Sequence, residues 1–213
     1  MKSILCYGDS NTWGFDPATG RRLAYELRWT SILQQLLGPR CNVIPEGLNG
    51  RNTCFPDPYV PHRNGMFAFP MILDTHRPID LIVFMLGTND TKLVYQKEIV
   101  SISRGLRTLI EAARGGGFGP EEGDPAILIV SPPAIIPGNP DEACFDIREC
   151  APGPEKIRLL GEEFSRLAKI MNCYFLDSAP VAPPSPIDGV HLSPESHRAL
   201  GEFLAGEIAR LGF

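Results

Sequence analysis

The chain has 213 residues, 43% of them hydrophobic, and carries a formal net charge of −5. That length suits one domain, residues 1–213, able to bury its own core without disulfide or metal staples. The acidic balance and the lack of any lysine or arginine block argue against electrostatic binding to nucleic acid or to a membrane surface.

The N-terminus enters an apolar run at once and lacks the apolar segment and small-residue cleavage site of a signal peptide. No stretch is long enough to span a bilayer, so a cytoplasmic location is expected. Short apolar runs follow at residues 4–7, 42–44, 81–86, 127–130 and 174–176. They do not alternate with polar residues, as expected of strands buried on both faces. Between them lie helical stripes at i, i+3, i+4 spacing. One runs through Trp29, Ile32, Leu33, Leu36 and Leu37, and a second through Ile99, Ile102, Leu106, Leu109, Ile110 and Ala113. A third runs through Ile157, Leu160, Phe164, Leu167, Ala168 and Met171. The last helix opens at Ser193-Pro194-Glu195, a cap residue followed by proline at the first helical position. Segments 52–65 and 131–154 are proline-rich and read as long loops that shape a binding mouth.

Strand–helix alternation of this kind predicts a three-layer α/β/α sandwich of flavodoxin-like form. Its five-stranded parallel sheet has the order 2-1-3-4-5. In such sheets ligands bind at the carboxyl ends of the strands beside the switch point, here strands one and three. The six cysteines at 6, 41, 54, 144, 150 and 173 form no CxxC pair and read mainly as buried thiols; Cys144 with Cys150 is the one pairing to weigh.

Strand one ends in Gly8-Asp9-Ser10-Asn11 and strand three in Gly87-Thr88-Asn89-Asp90. A serine hydroxyl becomes a useful nucleophile only when a neighbouring base takes its proton. Of the four histidines, His62 falls in a loop, His76 in the last turn of a helix and His197 inside the final helix. His191 alone follows strand five in Asp188-Gly189-Val190-His191, on the same edge of the sheet as Ser10. That spacing lets a turn bring the carboxylate to one imidazole nitrogen while the other faces outward. Acyl transfer also needs donors for the developing oxyanion. The Ser10 N–H, the Asn89 side chain and the N–H of a glycine after strand two supply them. Gly50 is preferred for that third donor because Arg-Asn-Thr follows it, and Gly47 competes. Asp9 and Asp90 read as structural, each holding its own turn. Trp13 fits either the helix-packing core or the wall of the substrate pocket.

Taken in order, Gly8-Asp9-Ser10, Gly50, Gly87-Thr88-Asn89-Asp90 and Asp188-x-x-His191 resemble the four sequence blocks of the SGNH (GDSL-type) hydrolases, across nearly the whole chain. The longer strings Cys6–Gly14 and Met85–Lys92 are similar to the bacterial arylesterase and acyltransferase group of that family. The resemblance implies Ser10 as nucleophile, His191 as base and Asp188 as its partner, with Ser10, Gly50 and Asn89 forming the oxyanion hole. It also implies short acyl esters, acetyl above all, as small-molecule substrates, acyl transfer to alcohols as a side activity, and no metal or cofactor. Exposed-looking apolar residues in the proline-rich loops (Phe55, Tyr59, Phe67, Phe69, Ile135 and Ile136) predict a homo-oligomer, with an octamer among the forms the resemblance offers. Two other readings stand beside this one. A metal-dependent phosphoesterase lacks converging ligands, and a non-enzymatic flavodoxin-like ligand-binding module lacks a glycine-rich phosphate cradle.

Overall fold

A computed structural model describes residues 1–139, 141, 147–150 and 153–213. Five strands, β1 (Lys2–Gly8), β2 (Cys41–Gly47), β3 (Leu81–Met85), β4 (Ala126–Val130) and β5 (Tyr174–Leu176), form one parallel sheet in the order β2-β1-β3-β4-β5. Among the described residues, six α-helices accompany them: α1 (Ser10–Trp13), α2 (Trp29–Leu37), α3 (Gly65–His76), α4 (Ile99–Ala113), α5 (Gly153–Ile170) and α6 (Pro194–Arg210). Among the described residues, no helix is long and apolar enough to cross a membrane.

Successive side chains of a strand point to opposite faces, and both faces here are apolar. On one side Leu5, Tyr7, Ile82, Phe84 and Ile129 pack with Phe69 of α3, Leu106 of α4 and Phe164 of α5. On the other Ile4, Cys6, Val83, Leu128 and Val130 pack with Trp29 and Leu33 of α2 and Leu200 and Leu204 of α6. The central strands therefore read as unbroken apolar runs, and the three-layer expectation holds.

β2 extends past the predicted 42–44 because it lies at the sheet edge. There Pro45 opposes Cys6 and can stay in the strand, since a proline at an edge interrupts no second ladder. The extension matters for function. It carries β2 as far as Gly47, opposite Gly8, and delivers the residues after it to the end of β1.

The apolar loop residues divide in two. Tyr59 is 78% exposed and Phe67 60%, as expected of a surface patch, and Ile136 is also exposed. Phe69 and Ile135 instead belong to the core, and Phe55 is half-buried. For Phe69 the reason is helical: α3 begins at Gly65 and turns that ring inward onto Tyr7, 4.7 Å between centroids. The pairing weighed for Cys144 and Cys150 lies outside the described residues, since Cys144 is not among them.

α2 and α6 pack side by side, and a buried histidine links them. His197 of α6 accepts the N–H of Trp29, the first residue of α2, at its Nδ1 across 3.3 Å. That N–H has no partner within its own helix, so His197 acts as a cap supplied from another element. Accepting at Nδ1 requires the neutral ring. Burial, with smaller contributions from the charges of His191 and Arg28, pushes the His197 pKa down to about 4. A histidine whose folded pKa lies below its unfolded value contributes stability that is complete above the unfolded pKa. That stability is lost as the pH falls towards the folded pKa. Between about pH 6.5 and pH 4, this residue should therefore remove up to about 3 kcal/mol from the folded state. Urea unfolding of the wild type and His197→Gln across that range tests it, because the difference between the two cancels the carboxylates they share. The wild type is expected to lose stability more steeply, and a constant difference would refute the assignment.

Candidate active site

β1 runs into α1 through Asp9, whose side chain accepts the Asn11 N–H at 3.0 Å and caps that short helix. Ser10 is therefore the first helical residue, nearly buried, at the carboxyl end of β1. Residues 188–191 form a tight turn before α6. Asp188 Oδ1 accepts the N–H groups of Val190 and His191, both at 2.9 Å. Its Oδ2 lies 2.6 Å from His191 Nδ1, and His191 Nε2 lies 2.9 Å from Ser10 Oγ. With Nδ1–H donated to the carboxylate, Nε2 is left as an acceptor for the serine hydroxyl proton. Burial acts to raise the Asp188 carboxyl, but the His191 ring and the two backbone N–H groups outweigh it and hold it below the usual carboxylate range. Asp188 thus stays ionised wherever His191 needs an anionic partner.

Asn89 follows β3. Its Nδ2 donates one hydrogen to the Arg51 carbonyl at 3.0 Å, and an amide nitrogen carries two. Ser10, Gly50, Asn89 and His191 line one cavity of about 320 Å³, shared with Phe15, Arg63 and Lys92. A larger cavity of about 570 Å³, beside α5, is lined by residues such as Arg158, Glu162 and Asp177 and contains none of the four.

The two candidate glycines separate on geometry. Gly47 lies against the backbone of Thr12 and Trp13, where a Cβ would collide with the Trp13 nitrogen. It is the close-approach point between β2 and α1. Gly50 lines the cavity in a left-handed conformation, φ +79°, where a Cβ would meet only the flexible Arg63 side chain. Trp13 requires a correction, for it is not among the cavity-lining residues. Its carbonyl accepts from Arg22 Nε at 2.7 Å, and the Arg22 guanidinium lies 5.0 Å from its ring centroid. The aromatic ring beside the site belongs to Phe15, 4.2 Å from the His191 ring between centroids. One more turn of chain after Ser10 brings residue 15 back towards the histidine. The Gly14 N–H and the Phe15 N–H both return to the Ser10 carbonyl.

Asp9 holds its own turn, as expected. Asp90 does not act mainly there: it receives the Thr53 N–H at 3.0 and 3.1 Å and the Thr53 hydroxyl at 2.6 Å, tying the loop after β2 to the end of β3. Arg51 is the residue the sequence reading missed. Its buried guanidinium donates to the Gly8 carbonyl at 2.9 Å and to the Glu46 carbonyl, and lies 4.0 Å over the Tyr7 ring. Its carbonyl receives Asn89, so one residue joins the ends of three strands. Composition and spacing do not distinguish a buried arginine from a surface one; Arg51 entered only as part of the Arg-Asn-Thr string that favoured Gly50, with no role of its own. Among the described residues, no group of three or more His, Cys, Asp or Glu side chains could hold a metal ion.

Gly47→Ala is expected to destabilise the fold more than Gly50→Ala. The first places a methyl group against fixed backbone, whereas the second costs about 1–2 kcal/mol for a left-handed alanine. Urea midpoints of the two variants compare them, and the reverse order would show that the Gly47 contact with α1 yields more easily than the left-handed turn at Gly50.

The model of the GDSL-like lipase/acylhydrolase family matches residues 6–199. A solved carbohydrate acetylesterase from Sinorhizobium meliloti is 35% identical, with a TM-score of 0.92, over 99% of this chain and 100% of that one. The aryl esterase of M. smegmatis is 36% identical, also with a TM-score of 0.92, over 99% of this chain and 100% of its own. An arylesterase of Vibrio mimicus is 22% identical over 213 residues, covering 98% of this chain and 89% of that protein.

Proposed function

As a member of the GDSL-like lipase/acylhydrolase family and a carboxylic ester hydrolase, we propose, this protein works through an acyl-enzyme on Ser10. The observation that carries the reading is the continuous relay from Asp188 through His191 to Ser10, 2.6 Å and 2.9 Å long, opening into the cavity. Ser10 Oγ attacks the ester carbonyl as its proton passes to His191 Nε2, and Asp188 stabilises the resulting imidazolium. The oxyanion is met by the Ser10 N–H, the Gly50 N–H and the second Asn89 hydrogen. His191 returns its proton to the departing alcohol. Water then attacks the acyl-Ser10 carbonyl by the same steps in reverse roles, releasing the acid and restoring the serine. Alcohols that enter in place of water take the acyl group instead.

The cavity is small, and relatives with the same architecture are an aryl esterase and carbohydrate acetylesterases. Both facts support short acyl groups, acetyl first, on aryl or sugar alcohols. The exposed side chains of Tyr59, Phe67, Met71 and Ile136 support a homo-oligomer that covers them and narrows the approach to Ser10.

Steady-state kinetics on para-nitrophenyl esters of increasing acyl length test the reading. Ser10→Ala should fold and lose about 10⁴-fold or more in kcat. Asn89→Ala should lose on the order of 10²–10³-fold in kcat with KM less affected. A folded Ser10→Ala enzyme with wild-type activity would remove the mechanism, and a pure KM effect at Asn89 would make it a binding residue. Light scattering at micromolar concentration addresses assembly separately: a multiple of the 23.4 kDa chain mass is expected, and a monomer would overturn the homo-oligomer.

A further inference from the structure

For Ser10 and His191 to share a hydrogen bond, two turns far apart in sequence must be held in one position, since 181 residues separate them. Asn11, next to Ser10, is fully buried, and its side chain crosses that junction. Its Oδ1 accepts the Leu192 N–H at 3.0 Å, and its Nδ2 donates to the Val190 carbonyl at 3.4 Å. Val190 and Leu192 are the two neighbours of His191, so one amide grips the main chain on both sides of the imidazole. The partners leave no freedom in the amide's orientation, because an N–H can only donate and a carbonyl can only accept.

The Asn11 backbone is anchored as well. Its N–H donates to Asp9 Oδ1 at 3.0 Å, and its carbonyl accepts from Trp29 Nε1 at 3.0 Å. The clamp therefore runs from α2 and the end of β1 to the turn before α6 through a single side chain. By contrast, the bonds that join Asp188 to residues 190 and 191 are local, spanning two or three positions. Asp188 and His191 form a unit of their own, and something else must dock that unit on Ser10. Phe15 stacks beside the ring, but stacking tolerates sliding, whereas two hydrogen bonds to successive peptides fix position and angle. Aspartate here would accept without donating, and serine is too short to reach both groups.

We infer that Asn11 is a positioning residue for the reaction: it sets the placement of the Asp188–His191 pair relative to the Ser10 hydroxyl. This rests on the reading of Ser10 as nucleophile and His191 as base. Misplacing reacting groups by about 1 Å costs on the order of 10²-fold in rate. Loss of the clamp should act on kcat, because it leaves the cavity walls in place. It should not move the acid limb of the kcat/KM profile, because Asp188 still partners His191.

Asn11→Ala, Asn11→Asp and Ser10→Ala are compared with the wild type on para-nitrophenyl acetate across pH. The rate of labelling by a serine-directed phosphonate is measured in parallel. Asn11→Ala is expected to lower kcat and the labelling rate together by about 10–100-fold, with KM within about threefold and the acid limb unmoved. Asn11→Asp, which keeps the acceptor for Leu192, should fall between it and the wild type. A folded Asn11→Ala enzyme with wild-type kcat overturns the inference, as does a lower melting temperature with an unchanged labelling rate. If Asn11→Ala does not fold, the near-isosteric Asn11→Asp decides, and wild-type kcat in that variant overturns it equally. An active Ser10→Ala enzyme would instead remove the triad reading itself, whereas an inactive one beside an unimpaired Asn11→Ala removes this inference alone.

Discussion

Gly8 is paired on both sides, with Gly47 of β2 and with Met85 of β3, and the geometry of the site follows from that register. Because the three strands end at the same level, Ser10, Gly50 and Asn89 emerge into one crevice without any loop having to bridge a gap. Slippage of either neighbour by one residue would turn its apolar side chains from one core to the other, which both packed faces resist. Register, held by burial on two sides, thus converts the hydrophobic effect into fixed placement of polar groups at the strand ends. Arg51 reinforces the same point by binding the carbonyl of Gly8 and that of Glu46 at once, across the β1–β2 seam.

The buried carboxyls around this crevice take up protons at different pH because they differ in partners. Asp188 has an imidazole and two N–H groups and stays ionised below the usual range. Asp9 and Asp90 are dominated by burial and are pushed up to about 6, with their mutual repulsion adding to Asp90. Two structural carboxyls therefore titrate well above Asp188 although all three are buried. As the pH falls, Asp188 therefore keeps its charge beside His191 after the other two carboxyls have begun to lose theirs, and those two serve as hydrogen-bonded ties, to Asn11 and to Thr53.

Much of this was legible in the sequence, for physical reasons that can be named. Strands buried on both faces leave unbroken apolar runs, and helices leave stripes. The positions of Ser10, Asn89, Asp188 and His191 follow from strand ends and from the reach of a tight turn, which are local properties. Long-range polar ties are not local. Arg51 on Gly8, Asp90 on Thr53 and Asn11 on the turn around His191 join residues 37 to 181 positions apart, and no periodicity marks them. Pocket walls failed in the same way. Trp13 and Phe15 are two residues apart on one turn, and only the packing of that turn decides which ring meets the histidine. Phe69 and Ile135 were misread because a proline-rich neighbourhood says where the chain bends, not which side chains turn inward.

The proline-rich segment after β4 has a role beyond shaping a mouth. The Ile136 N–H donates to the Gly189 carbonyl at 2.9 Å, and the Asn139 N–H donates to the Ile187 carbonyl at 3.0 Å. Within residues 185–191 themselves, the Ser185 N–H reaches the His191 carbonyl at 2.7 Å and the Gly189 N–H reaches the Ser185 carbonyl at 2.8 Å. The turn that carries Asp188 and His191 is thus braced from behind by backbone that belongs to no sheet. A brace built of ordinary loop would lose much of its value to its own conformational freedom. Pro132, Pro133 and Pro137 fix φ along it and lower the entropy of the unfolded chain, so little is lost when it docks. Asn11 grips the same turn from the front, through Val190 and Leu192. Held on both sides, the turn keeps the imidazole at hydrogen-bond distance from Ser10 although it lies outside the sheet that positions the serine.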